Sequence, residues 1–212
     1  MPLQNDIELP IEVSARHVHL SQADQDVLFG PGYQMKIKKN LSQTGQWAAE
    51  EKVTVVGPKG KTECRVLGPC RPKTQVEFAY SDGFKIGIDV PMRESGKLDG
   101  TPGCTLIGPR GQLELKEGVI DPQRHLHISD TEAAERGLQK GDIISLYIPG
   151  QQAATYHNFI VRVHPTFRMN IHLDTDEGNA CSLPTFGSKG RIVRVERAGQ
   201  VIWHDARWPQ LR

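Results

Sequence analysis

The sequence carries almost no net charge: 26 Lys and Arg stand against 25 Asp and Glu across 212 residues, a formal +1 at pH 7. A general nucleic-acid binder, or a protein held on an acidic membrane, needs a broad cationic surface. The balance argues against both classes, and any anion site must be local. Long hydrophobic runs are missing too, and the apolar stretches are far too short to span a bilayer. The four cysteines, Cys64, Cys70, Cys104 and Cys181, form no Cys-x-x-Cys pair, and no signal-peptide pattern precedes them. A disulfide framework is therefore not expected, and a soluble cytosolic protein is. The Gly-rich loop of nucleotide hydrolases, the dinucleotide fingerprint and the Gly-x-Ser-x-Gly elbow are all absent. Nucleotide hydrolysis, dinucleotide redox chemistry and serine hydrolysis lose their usual support.

What is present is punctuation. Gly 21 and Pro 14 fall between short apolar runs, a turn-rich β pattern. "IELPIEV" (7–13) reads as a strand running on into "SARHVHL". "KVTVVGPKGKTECRVLG" and "CTLIGPRGQLELKEGVI" read as hairpins with Gly-Pro-Lys-Gly and Gly-Pro-Arg-Gly at their turns. "TQVEFAY", "GFKIGIDVP", "IISLYI", "NFIVRVH", "MNIHLD" and "GRIVRVE" read as further strands. Segment 31–51 is less regular, a lid or a small inserted sheet.

One motif occurs twice. "RHVHLS" at His17/His19 recurs as "RHLHIS" at His125/His127, roughly a hundred residues on, a spacing that suits duplicated β-barrels rather than a short-period solenoid. Each copy is strand-like and leads into a short helix. Ser21 with Asp24 marks one N-terminus, and Ser129 with Glu132 forms a capping-box pattern at the other. The expected fold is mainly β: two pseudo-duplicated small β-barrels capped by short α-helices. Because a strand precedes the first copy, the units are expected to exchange strands. Residues 5–16 with 123–192 would form one barrel, and 17–122 the other, with an irregular insert at about 30–50. Residues 193–212 are left as a tail with no assigned role.

Residues i and i+2 of a strand share a face, so each His-x-His presents two imidazoles side by side. Imidazole is the commonest protein ligand for zinc and similar ions. One such pair is a weak signal, but two in the same local frame use four of the eight histidines. Each pair ends at a strand-to-helix corner, where side chains can gather at a barrel mouth. If both met one cleft, a two-metal site would follow. Two imidazoles leave a tetrahedral ion short of ligands: His172 is the best supplement, with Asp174 on the same face as the alternative. Glu77 is the best carboxylate, standing among apolar residues; its other reading is a solvated strand face. His157, His164 and His204 lack this context. Arg71 in "LGPCRPKTQ" is either a fixed guanidinium suited to phosphate or carboxylate, or an exposed arginine. The loop 91–103, with Arg93, Ser95 and Lys97, is either an anion cradle or a plain connection.

"VSARHVHLS", "LGPCRPKTQVEFA", "KLDGTPGCTLIGP", "VIDPQRHLHIS" and "IHLDTDEGNA" together resemble, over roughly residues 9–182, the PduL-type phosphotransacylases, also called phosphate propanoyltransferases. The resemblance implies two β-barrel domains with a dimetal, usually zinc, site between them. It also implies reversible transfer of a short acyl group, propanoyl or acetyl, between coenzyme A and inorganic phosphate, with acyl phosphate as product. By resemblance, His17, His19 and Glu77 hold one divalent ion, and His125, His127 and His172 the other. Arg71 positions phosphate, with Ser95 a weaker candidate beside it. Phosphate would attack the thioester directly, with no acyl-enzyme. Lys38, Lys39, Arg93 and Lys97 are candidate contacts for the phosphates of coenzyme A. The resemblance further implies a homodimer or larger homo-oligomer in the bacterial cytoplasm. Microcompartment-targeted members carry an amphipathic N-terminal extension. "MPLQNDIE" is too short and acidic to be one, which points to a free cytosolic member or a shortened chain. Two other readings are weighed. A cupin-like metal barrel leaves Arg71 unexplained, and a metallo-β-lactamase-type hydrolase lacks its His-x-His-x-Asp-His run here.

Overall fold

Short runs with alternating burial, broken by turns, build the protein. The computed structural model describes residues 8–184 and 187–207, and it is mainly β, 45% strand and 14% helix, with four short helices. In chain order the elements are β1 (Glu8–Ser14), β2 (His17–His19), α1 (Gln22–Phe29), β3 (Ile37–Asn40), β4 (Trp47–Gly57), β5 (Gly60–Gly68) and β6 (Gln75–Glu77). Then follow α2 (Tyr80–Ile86), β7 (Met92–Arg93), β8 (Cys104–Ile107), β9 (Gln112–Leu115), β10 (Val119–Pro122), β11 (His125–Ile128) and α3 (Asp130–Glu135). The chain continues as β12 (Ile143–Ile148), β13 (Ala154–Val163), β14 (Asn170–Asp174), α4 (Thr175–Ala180), β15 (Lys189–Arg197) and β16 (Gln200–His204). Two compact units result: Met1–Ser14 with Arg124–Arg212, and Ala15–Gln123.

The first unit is a closed six-stranded barrel in the order β1-β14-β11-β13-β12-β15, closed by the β15–β1 pairing. Its interior is filled by fully buried Leu9, Leu126, Ile128, Ile144, Leu146, Ile148, Phe159 and Ile171. β16 pairs with the edge of β15, and Trp203 packs against the same core. Of the expected tail 193–212, residues 193–197 belong to β15 and 200–204 form β16, so both are part of the sheet; residues 5–7 and 208–212 lie outside the described residues.

In the second unit the strands run β7-β10-β6-β2-β5-β4-β8-β9, with β3 beside β4, and the sheet curls into a half-barrel that stays open. Val18, Leu20, Leu28, Val55, Cys64, Val76, Phe78, Leu106 and Val119 form its core. Both expected hairpins are present: Gly57 pairs with Gly60, and Gly108 N–H donates to Gly111 O at 2.9 Å. Segment 31–51 contributes β3 and the start of β4, an inserted pair of strands.

The sequence strand that runs through "RHVHL" breaks at Ala15–Arg16, and this break is where the chain changes unit. β1 immediately precedes β2, yet it pairs with β14 and β15 of the barrel. β10 immediately precedes β11, yet it pairs with β6 and β7 of the half-barrel. Each strand leading into a His-x-His copy therefore belongs to the other unit. "GFKIGIDVP" differs from expectation: Tyr80–Ile86 is helix, stopped by Gly87 at φ 79. Its apolar residues suit either period, and helix wins because Ile86 enters the core while Phe84 is left exposed. Gly83 makes the packing possible, since a Cβ there would sit 2.1 Å from Val90 Cγ2.

Candidate metal centres

Two donor groups lie on strand faces turned away from their own units' cores. In β2, Val18 enters the core, and alternation puts His17 and His19 on the opposite face. In β6, Val76 enters the core and Gln75 and Glu77 take the other face. The antiparallel register sets His17 directly opposite Glu77, and His19 opposite Gln75. β11 and β14 repeat the device, with Leu126, Ile128, Ile171 and Leu173 in the core, His125 opposite His172, and His127 opposite Asn170. His125, His127 and His172 are thus on the outer face of the barrel rather than at its mouth, because strand periodicity leaves them no other side.

The first group is buried. His17 Nδ1–H donates to Ala15 O at 2.8 Å, which turns Nε2 toward Glu77 Oε2, 3.2 Å away. His19 Nε2 lies 3.6 Å from Glu77 Oε1. Burial lowers the His17 pKa, but the charge and hydrogen bond of Glu77 outweigh it and the net shift is upward. His19 is held well below the usual imidazole range by burial, helped by His17 and Arg71. Burial alone would raise the Glu77 carboxyl; His17, His19 and Arg71 overcome this and hold it well below the usual carboxylate range.

In the second group His127 Nδ1 and His172 Nε2 are 3.2 Å apart, and the His125 ring lies 4.5 Å and 4.9 Å from the other two rings. Phe167 packs on His127 at 4.1 Å, and Glu12 Oε2 stands 4.0 Å behind His172 Nδ1. In each group one donor atom per residue lies within 4.8 Å of the others. A tetrahedral ion with bonds of about 2.0–2.1 Å keeps its ligand atoms ~3.3 Å apart, close to the 3.2 Å between His17 Nε2 and Glu77 Oε2 and between His127 Nδ1 and His172 Nε2. Imidazole and carboxylate are also the donor types such an ion takes. Both groups can hold a metal. Asp174, the alternative ligand, instead caps α4, accepting from Glu177 N at 2.8 Å. His157 bonds to Ser145 and His164 to Thr166.

Arg71 reaches the first group. Its backbone N–H donates to Leu20 O at 2.9 Å, pinning the loop to the strand that carries His19. Its guanidinium lies 3.6 Å from Glu77 Oε1 and donates to Ser95 Oγ at 3.1 Å. Ser95 occupies the turn Glu94–Lys97, where Gly96 takes φ 96, and its hydroxyl donates to Glu77 Oε1 at 3.3 Å. Lys38 and Lys39 lie on exposed β3, Arg93 donates to Met92 O, and Lys97 pairs with Glu94.

Sequence reasoning missed the role of the arginine in the doubled motif. Arg16 pairs with Asp82 on the helix after β6, at 3.1 Å, and Arg124 pairs with Glu177 on the helix after β14, at 2.7 Å. Each arginine therefore ties its His-x-His strand to the helix following the third donor. Its constant place before both His pairs was the signal available. Gln75 and Glu12 gave none, since their importance depends on strand register.

This architecture, a β-barrel and a β half-barrel each bearing one His-rich donor set, defines a class of candidate metalloprotein. A family model described as phosphate propanoyltransferase matches residues 10–184. A phosphate propanoyltransferase of Rhodopseudomonas palustris is 46% identical over 177 residues, 83% of this chain and 78% of that protein. One from Thermotoga maritima is 44% identical, covering 86% and 88%, and one from Listeria monocytogenes is 39% identical, covering 89% and 88%. The chain belongs to the phosphate propanoyltransferase family and is an acyltransferase. Among the described residues no helix is long and apolar enough to cross a membrane.

Proposed function

We propose that the protein reversibly transfers a short acyl group, propanoyl or acetyl, between coenzyme A and inorganic phosphate, using two divalent ions, one in each donor set. Zinc suits the donors, because three protein ligands of imidazole and carboxylate type leave one coordination position for substrate. Ions bound there supply polarisation of an acyl carbonyl and charge compensation for a thiolate.

The observation that carries this reading is the placing of Arg71 and Ser95 at the carboxylate of the first donor set. A guanidinium held by a carboxylate and a hydroxyl offers phosphate a pre-oriented, charge-assisted grip. His17 presents Nε2 because Ala15 fixes its other nitrogen, and Glu77 cancels part of the cationic charge so that phosphate can still leave. Direct attack by phosphate is supported by the cysteines. Cys64 and Cys104 are buried in the core region with thiols pushed up to about 12, and the Cys70 thiol is raised by burial and donates to Gln25 Oε1. These three thiols are shifted away from the lowered pKa of an activated nucleophile.

The test follows coenzyme A release from acetyl-CoA and propanoyl-CoA with and without phosphate. Release that ignores phosphate refutes the transferase reading and makes the site hydrolytic. Arg71→Ala is expected to keep its metal and lose about a hundredfold or more in phosphate-dependent turnover; unchanged turnover removes Arg71 from the reaction.

A further inference from the structure

Gln75 is almost fully buried at 1% exposure, lies on the face shared with Glu77, and stands opposite His19 in the β2–β6 ladder. A buried primary amide needs partners for both ends. The Gln75 Nε2 group donates to Glu77 Oε1, and also to Ser95 Oγ at 2.8 Å. Its Oε1 accepts from Gly96 N–H at 2.8 Å. One amide thus meets the carboxylate of the first donor set, the hydroxyl beside Arg71, and the backbone of the turn that carries that hydroxyl.

Those contacts bear on what Glu77 can do. Oε1 is met by Gln75, Ser95 and Arg71 and lies 3.6 Å from His19 Nε2, whereas Oε2 points to His17 Nε2. Without the amide, the carboxylate keeps only the longer bond from Ser95 as a neutral donor on Oε1, and rotation about its last bond would swap the roles of its two oxygens. The turn Glu94–Lys97 would lose the hydrogen bond from the Gly96 N–H to β6. Hydrogen-bond partners of metal ligands fix ligand orientation, and losing one typically costs 10–100-fold in affinity.

From this geometry we infer that Gln75 is a positioning residue that orients Glu77 for the first ion and locks the Ser95–Gly96 turn to that ligand, so that the ion site and the anion grip are set together. The inference rests on the two-ion reading above, and one experiment separates their failures. Zinc binding to the metal-stripped full chain is titrated against a chromogenic chelator for wild type, Gln75→Leu and Gln75→Met. Melting of the metal-free chains is followed in parallel, with the straight Met side chain preserving volume should Leu disturb packing.

Wild type is expected to take up two ions, and the variants to bind one of them about 10–100-fold more weakly while the other keeps its affinity. A merely structural role would lower the melting temperature and leave both affinities unchanged. Gln75→Leu is also expected to raise the KM for phosphate, and to do so non-additively with Ser95→Ala because the two groups share a hydrogen bond. A wild-type chain that binds no ion overturns the two-ion reading together with this inference. Wild type with two ions and variants of equal affinity overturn the role of Gln75 alone.

Discussion

Replacing Glu77 by Gln removes one charge and little volume from the closest ion pair in the first donor set. His17 Nε2 is 3.2 Å from Glu77 Oε2, where unit charges attract by about 5 kcal/mol at an effective dielectric of about 20. Burial of both partners takes part of this back, and in the variant His17 can shed its proton. A loss of about 2–3 kcal/mol is therefore expected in the metal-free chain near pH 6. The pH dependence carries the stronger test. The folded pKa of His17 is raised, so its contribution is complete below its unfolded value near 6.5 and fades as pH rises through the folded value. The folded pKa of Glu77 is depressed, so its contribution is present above about 4.5 and fades only as pH falls through the depressed value. Wild type and Glu77→Gln should therefore differ most between those limits and by less at alkaline pH, where the Arg71–Glu77 pair remains but the His17 charge is gone. Urea unfolding of both metal-free chains across that range measures it. A difference that stays constant with pH refutes the paired-charge account. Excess zinc, at about 100 times Kd, should stabilise wild type by ~2.7 kcal/mol for each ion bound. The variant should gain less, having lost an anionic ligand.

The arginine clamps make a reciprocal prediction: Arg124→Met should weaken the ion held by His125, His127 and His172 about tenfold and leave the other unchanged, whereas Arg16→Met should do the converse, as read by chelator competition. Gly178→Ala would ordinarily gain up to about 1 kcal/mol of helix propensity. Here the new Cβ would sit 2.7 Å from Cγ2 of the stiff, β-branched Val13, so a net loss of about 1–2 kcal/mol by denaturant melting is expected. Native alkylation should modify Cys70 alone among the four thiols, and only slowly until pH exceeds the ordinary thiol range, because burial and Asp26 raise its pKa; reaction at all four before unfolding would contradict the burial of Cys64, Cys104 and Cys181.

Much of the local structure was legible residue by residue. Two-residue periodicity put His17 with His19 and His125 with His127 on common faces, Ser21 and the Ser129–Glu132 box mark helix starts, and Gly-Pro-Lys-Gly and Gly-Pro-Arg-Gly close hairpins. All of these depend on side chains within a few positions of one another, where spacing alone carries the geometry. Long-range pairing was less accessible. That Glu77 stands opposite His17, that Gln75 holds Glu77, and that β1 and β10 each join the other unit are matters of register between strands far apart in sequence. A slip of one residue would turn every side chain to the other face, and only the packing of Val18, Val76, Leu126 and Ile171 into their cores forbids it. By itself the sequence determined which side chains could serve as donors. Tertiary structure decided where they meet, because burying the apolar residue between each His pair leaves the imidazoles one face to share.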